Sequence, residues 1–191
     1  MKNIRLLLFI SLIVLHGKTF AQPAASGGTI SFEQNGKQYT AKNISGTVAL
    51  GKDNNGILTL NCAVDDKERE VSIKFYLRKL GELKPGKIAL AKMDNKANPN
   101  FGLFINTPPG DGDSNDHDAG AGTAKDVSAD SEKGSFTISS VSTNGNQVVL
   151  SGSFEFSGKN SIAEGAEKNI TVKGTFNKVS LRAFSPHLLK Q

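Results

Sequence analysis

The sequence predicts an all-β protein: an antiparallel β-sandwich of eight to ten short strands or, as the alternative, a closed or partly open β-barrel. Three observations carry this. Apolar and polar residues alternate in segment after segment, most plainly in VSIKFYLR at 71–78, which is the period of a strand with one face buried. Turn signals separate these segments at short intervals, among them Asn35 with Gly36, Pro85 with Gly86, and Asn144 with Gly145. No stretch sustains the 3.6-residue apolar period of an amphipathic helix.

Taken in order, Ile30 and Phe32 alternate with Ser31 and Glu33, the Asn35 and Gly36 turn follows, and residues 38–41 return as a hairpin. Ile44, Gly46, Val48 and Leu50 share a face, as do Leu58, Leu60, Cys62 and Val64. Residues 71–78, 87–91 and 101–105 give three further strands. After an acidic segment, residues 135–141, 148–156 and 170–176 continue the pattern. Apolar parity then changes, since Val179 and Leu181 are odd where Phe176 is even, so a bulge near Asn177 and Lys178 is expected to return them to the core. Gly46, Gly152 and Gly174 within strands mark close backbone approach, a bend or a bulge. Cys62 shares parity with apolar neighbours and reads as a small core side chain; a lone cysteine forms no internal disulfide.

The domain organisation follows from composition. Residues 1–21 read as a signal peptide: two positive charges by Arg5, an apolar run from Leu6 to Leu15 broken by Ser11, and a polar stretch ending in Ala21. The apolar run is too short to cross a hydrocarbon core of about 30 Å as a helix, so no transmembrane segment is expected in the mature chain. Cleavage before Gln22 would leave a small-residue linker at 22–28, a single β-domain at 29–182 with an acidic insertion at 106–134, and a tail at 183–191. This predicts export, with the mature protein periplasmic or extracellular and released from the membrane.

The formal charge of +5 falls to +2 once Lys2, Arg5 and Lys18 leave with the signal. That field is too small to steer the domain onto phosphate, and no aromatic and basic ladder accompanies it, so nucleic acid is not an expected partner. An enzyme is not expected either. The mature chain keeps only His117 and His187, and no Gly-x-Ser-x-Gly elbow is present. A hydrolase built from distant carboxylates such as Glu33, Glu155 and Glu164 is the remaining catalytic alternative.

One segment has donors for a ligand. Within the insertion, DGDSNDHD at 111–118 places oxygen donors at Asp111, Asp113 and Asn115, with Asp116 and Asp118 close behind. Alternating hard oxygen ligands suit calcium. The pattern departs from an EF-hand loop, whose sixth position needs Gly and whose twelfth needs Glu, because here Asp116 and Gly122 stand there. No other cofactor motif is present.

The strands GSFTISSV at 134–141, VVLSGSFEF at 148–156 and NITVKGTFN at 169–177, with the hairpin NGKQY at 35–39, resemble an uncharacterised family of small bacterial secreted or lipid-anchored β-domains. The resemblance covers most of residues 29–181 and implies an envelope or extracellular β-domain with no catalytic residues to transfer. The chain departs from the tethered members in lacking an acylated Cys after the apolar run. The expectation is therefore a secreted or periplasmic non-enzymatic binding or surface-associated module of unknown ligand. The alternative is a calcium-stabilised extracellular module that uses the Asp-rich loop.

Overall fold

Side-chain alternation in the sequence becomes alternation of burial in space. In β4 (Gly56–Val64) the residues Leu58, Leu60 and Cys62 are buried, and in β5 (Glu70–Leu80) so are Val71, Ile73, Phe75 and Leu77. A computed structural model describes residues 27–50, 56–64, 69–80, 82–107, 126–162 and 168–184. The other strands are β1 (Thr29–Gln34), β2 (Lys37–Thr40), β3 (Asn43–Ala49), β6 (Gly86–Ala91), β7 (Phe101–Thr107), β8 (Val127–Asp130), β9 (Lys133–Asn144), β10 (Gln147–Lys159) and β11 (Asn169–Ala183). The fold is all-β, without a helix among the described residues.

Among the described residues there are eleven strands, one more than the upper end of the expected eight to ten. The additional one is β8, inside the stretch at 106–134 that reads from sequence as irregular. Its apolar content is only Val127 and Ala129, too short a pattern to register as periodic, yet both are buried once β8 pairs with β7 through Asn106↔Val127 and Phe104↔Ala129. The stretch is also narrowed from both sides, because β7 runs to Thr107 and β9 starts at Lys133.

The strands form one mixed sheet in the order β6-β9-β10-β11-β3-β4-β5-β7-β8, with the β1–β2 hairpin branching from β11. One pair departs from the expected antiparallel arrangement. The fifteen-residue β11 outruns β1, and its end lies parallel to β3 through Arg182↔Thr47 and Ala183↔Val48. Hydrogen bonding thus continues through this seam, and the sheet is strongly curled into a half-barrel. The curl is visible in distances. Four strand intervals separate β10 from β5, about 19 Å if the sheet were flat, yet the Phe75 and Phe154 ring centroids are 4.8 Å apart. Phe75 also meets Phe136 at 5.1 Å and Phe156 at 6.0 Å.

The inward face pairs rings with glycines across strands. Gly174 stands opposite Phe154 and Phe32, Gly152 opposite Phe176, and Gly102 opposite Phe75. A Cβ at position 174 would lie 2.6 Å from Phe154 Cζ and 2.7 Å from Phe32 Cβ. At 152 it would overlap the Thr137 carbonyl oxygen and stand 2.5 Å from Phe176 Cζ. The close approach expected at Gly46, Gly152 and Gly174 is therefore real; aromatic rings occupy much of that space at Gly152 and Gly174, and the Thr59 carbonyl and Leu181 do so at Gly46.

The bulge expected near Asn177 and Lys178 is also present. The β10–β11 register shifts between Leu150 and Gly152, Lys178 has a φ of 51°, and Phe176 and Val179 are both buried. Ser151 Oγ accepts a hydrogen bond from Lys178 N at 2.9 Å and so holds the bulge. A matching register shift lies between β9 and β10 beside Gly152. On β9, β6 covers only Lys133 to Ile138, and residues 139–144 have no strand partner on that edge among the described residues. The hairpin turn between β1 and β2 has positive φ at Asn35 (45°) and Gly36 (91°), the backbone that an Asn-Gly pair tolerates best.

Ser131 closes the side where the ends of the sheet approach each other. It is fully buried, donates from Oγ to Ala91 O of β6 at 2.6 Å, and accepts from Gly102 N of β7 at 3.0 Å. Ala91 N further donates to Asn100 O at 2.8 Å. The hydroxyl is satisfied by two strands, β6 and β7, that are remote from each other in the sheet order, as a buried hydroxyl requires.

Substituting Gly152→Ala is expected to cost about 3 kcal/mol, the upper range for overpacking a filled core, because neither the Thr137 carbonyl nor the Phe176 ring can retreat. Urea denaturation of the two proteins under identical conditions measures this.

Candidate functional site

Two neighbourhoods outside the apolar core gather polar groups. The first is the base of the acidic segment. The proposed calcium ligands Asp111, Asp113, Asn115, Asp116 and Asp118 lie outside the described residues, as do His117, Glu164 and His187. The two ends of that segment are described and are bound together. Arg69, at the start of β5, donates from Nε to Asn106 Oδ1 at 2.7 Å and from Nη2 to Asn106 O at 2.9 Å. The same Nη2 reaches Asp126 Oδ1 at 2.5 Å. Asn106 donates from Nδ2 to Tyr39 Oη at 3.3 Å, and Tyr39 stacks on Phe32 with centroids 5.1 Å apart.

Asp126 is 4% exposed and Asn106 8%. A guanidinium presents several donors in a fixed plane, so Arg69 can bridge a side-chain amide, a backbone carbonyl and a carboxylate at once. Asn160 adds to this from the end of β10, donating from Nδ2 to Asp126 O at 2.8 Å while its Oδ1 accepts from Ser128 N at 3.2 Å. The acidic segment thus departs from and returns to a clamped base.

The second neighbourhood is the outer face of β6, β9, β10, β11, β1 and β2. Side chains opposite in parity to the core fall into cross-strand rows. Lys87, Thr137, Ser153, Thr175 and Ser31 make one row, and Ser135, Glu155, Lys173, Glu33 and Gln38 the next. Two hollows open on these rows. One, of about 430 Å³, is lined by Ser31, Glu33, Ser135, Ser153, Lys173 and Thr175 among others. The other, of about 530 Å³, is lined by Lys87, Lys133, Ser135, Glu155, Ser157 and Thr171 among others. They adjoin at Ser135 and Glu155. Six strands at the usual spacing make a polar trough about 24 Å from edge to edge.

Charge is distributed unevenly along it. Glu33 accepts from Gln38 Nε2 at 2.6 Å and pairs with Lys173 Nζ at 3.3 Å, so that end is internally neutralised. At the other end Lys87, Lys133 and Glu155 have no side-chain partner among the described residues. The large exposed apolar residues Ile57, Met93, Ile162 and Phe184 all lie outside both hollows.

Of the carboxylates considered for hydrolysis, Glu33 and Glu155 do share one row, with Lys173 between them. Phe154 and Phe156 belong to the core, as expected. Cys62 is also buried, and desolvation pushes its thiol up to about 12, so it carries no thiolate at neutral pH. Among the described residues no group of three or more His, Cys, Asp or Glu side chains is placed to hold a metal ion.

The sequence reading did not single out Arg69, Asn106 or Asp126, whose partnership spans 57 residues and leaves no local pattern. The trough had a signal: Ser and Thr recur on the polar parity of four strands, at 31, 135, 137, 153, 157, 171 and 175.

Replacing Arg69→Met is expected to destabilise the fold by about 3 kcal/mol, because the nearly buried Asp126 carboxylate loses its cation. The double substitution Arg69→Met with Asp126→Leu should recover part of that loss, and thermal or urea melts of the set measure it. Comparison with protein-family models, curated proteins and solved structures finds no match to this chain.

Proposed function

We propose that the chain is a secreted or periplasmic, non-enzymatic binding module, built on a partly open barrel, whose ligand lies along the outer trough of β6, β9, β10, β11, β1 and β2. The observation that carries this reading is the pair of adjoining hollows on an otherwise regular sheet face, lined by exposed and half-buried hydroxyls and, at the β6 and β9 end, by charged side chains with no side-chain partner among the described residues. Polar groups left without a side-chain partner in shallow surface hollows are free to exchange water for a ligand. The barrel reading rests on the continuous hydrogen bonding through β11 and β3 and on the Ser131 contacts across the open side.

Non-enzymatic character is supported by the setting of Glu33 and Glu155. Glu33 is already held by Gln38 and Lys173, and Lys173 stands between it and Glu155 in the row, so the two carboxylates do not face each other across an open site. Export rests on residues 1–21. Terminal sequencing of protein from the extracytoplasmic fraction is expected to begin at Gln22. In a screen of the exported chain against soluble glycans and peptides, binders should be lost with Ser153→Arg, which fills the first hollow, and kept with Arg78→Glu on the exposed face of β5. Equal loss, or no loss, in the two variants would remove the trough from the reading.

A second reading, the calcium-stabilised module, is favoured by the clamped base of the acidic segment. The pairing of Asn106 with Val127 brings residues 107 and 126 together, so the candidate ligands Asp111, Asp113, Asn115, Asp116 and Asp118 belong to a segment whose two ends are fixed side by side. A ligand that binds the native state alone raises the melting temperature. The expected rise with a few millimolar calcium, reversed by chelator and absent in the Asp111→Ala and Asp113→Ala double variant, is read in a thermal melt.

A further inference from the structure

The binding reading names a face; the chemistry along that face names a class of ligand. We propose that the trough takes a linear polysaccharide bearing carboxylates, a polyuronate-type chain, and this rests on the proposed binding role of the same face. The hollow at the β6 and β9 end holds two ammonium groups, Lys87 and Lys133, and one carboxylate, Glu155, none of them with a side-chain partner among the described residues. Lys87 stands opposite Thr137, and Lys133 lies four residues from Thr137 on the same strand, so the backbone positions that carry the two cations are about 13 Å apart along the strand direction. They bracket the hollow rather than converge on one point. Such a pair suits anionic groups spaced along a chain better than a single small anion.

Between and beyond the lysines the lining is Ser135, Ser153, Ser157, Thr171 and Thr175, hydroxyls that both donate and accept. These match sugar hydroxyls. Glu155 sits where the two hollows meet; its carboxylate repels any anion, but it accepts hydrogen bonds from sugar hydroxyls, which a polyuronate has beside its more widely spaced charges and a polyphosphate lacks. That asymmetry disfavours nucleic acid and polyphosphate. A protein partner would be anchored by buried aromatic or aliphatic side chains, and the trough exposes no large apolar residue as a seat for them. With no aromatic ring available for stacking against a sugar, affinity must come from charge and hydrogen bonds, and it will therefore be sensitive to salt.

The test uses the full exported chain in affinity electrophoresis and calorimetry against three probes: polygalacturonate, the neutral polymer dextran, and inorganic polyphosphate. Polygalacturonate is expected to bind, at least about tenfold more tightly than dextran, and to weaken by a similar factor in the Lys87→Ala and Lys133→Ala double variant. It should also weaken on raising the salt, and Glu155→Ala should help it less than it helps polyphosphate, because for the uronate chain the relief of repulsion is offset by lost hydrogen bonds to sugar hydroxyls. Polyphosphate should bind more weakly than polygalacturonate and should gain when Glu155 is removed. If dextran binds as tightly as polygalacturonate and ignores the lysine substitutions, the uronate assignment falls while the binding face stands, provided Ser153→Arg still abolishes dextran binding. If polyphosphate binds most tightly, the assignment also falls. If none of the three binds, the assignment is overturned, and the screen against the Ser153→Arg variant then decides separately whether the face binds anything else. Unchanged melting temperatures in the lysine and glutamate variants confirm that the fold is intact, as expected for exposed side chains.

Discussion

The fold depends on a steric exchange between phenylalanine and glycine on the inward face of one sheet. A sheet that curls this tightly crowds side chains on its concave side, and β-strands offer no other direction in which to send them. The crowding is relieved because Gly174, Gly152 and Gly102 present only backbone where Phe154, Phe32, Phe176 and Phe75 cross from neighbouring strands. The rings then reach one another across the interior, and Phe75 on one limb of the half-barrel touches three phenylalanines on the other. Curvature, core density and the approach of the sheet's ends at Ser131 are consequences of that exchange.

The outward face inherits its geometry from the same source. Registers that place a ring against a glycine inside also place Ser, Thr, Lys and Glu in straight cross-strand rows outside. The polar trough is therefore not a cleft between domains or a loop-built pocket; it is the reverse side of the aromatic core. A residue such as Ser153 lies between Gly152 and Phe154 in the chain, so its position is held by two neighbours committed to packing. Rigid support of this kind suits recognition by hydrogen bonds, which lose strength quickly when partners move.

Features specified by neighbours in the chain were legible from sequence alone. The all-β class, the turn at Asn35 and Gly36, the bulge at Lys178, the inward Cys62 and the close approach at Gly152 each follow from a few adjacent residues and a strand period of two. Features made by remote partners were not. Strand β8 has two small apolar residues and gains its identity from β7, and the parallel seam of β11 with β3 joins the two ends of the domain. Arg69 acquires its role only from Asn106 and Asp126, which the fold brings to it from 37 and 57 residues away. The hydroxyl-rich parity of the trough was present in the sequence, but only the register reveals which hydroxyls stand side by side.

The paired bulges beside Gly152 also bear on how the protein behaves when concentrated. Residues 139–144 of β9 carry no charge and no proline, the two devices that usually discourage strange strands from zipping onto an exposed border. The register slip between β9 and β10 falls at the point where β6 stops covering that border. A bulge turns the strand and sharpens its twist. An incoming strand aligned with β6 would therefore lose its alignment as it passed the bend, and the kink that lets the core accommodate Phe176 doubles as a guard against stacking into fibrils.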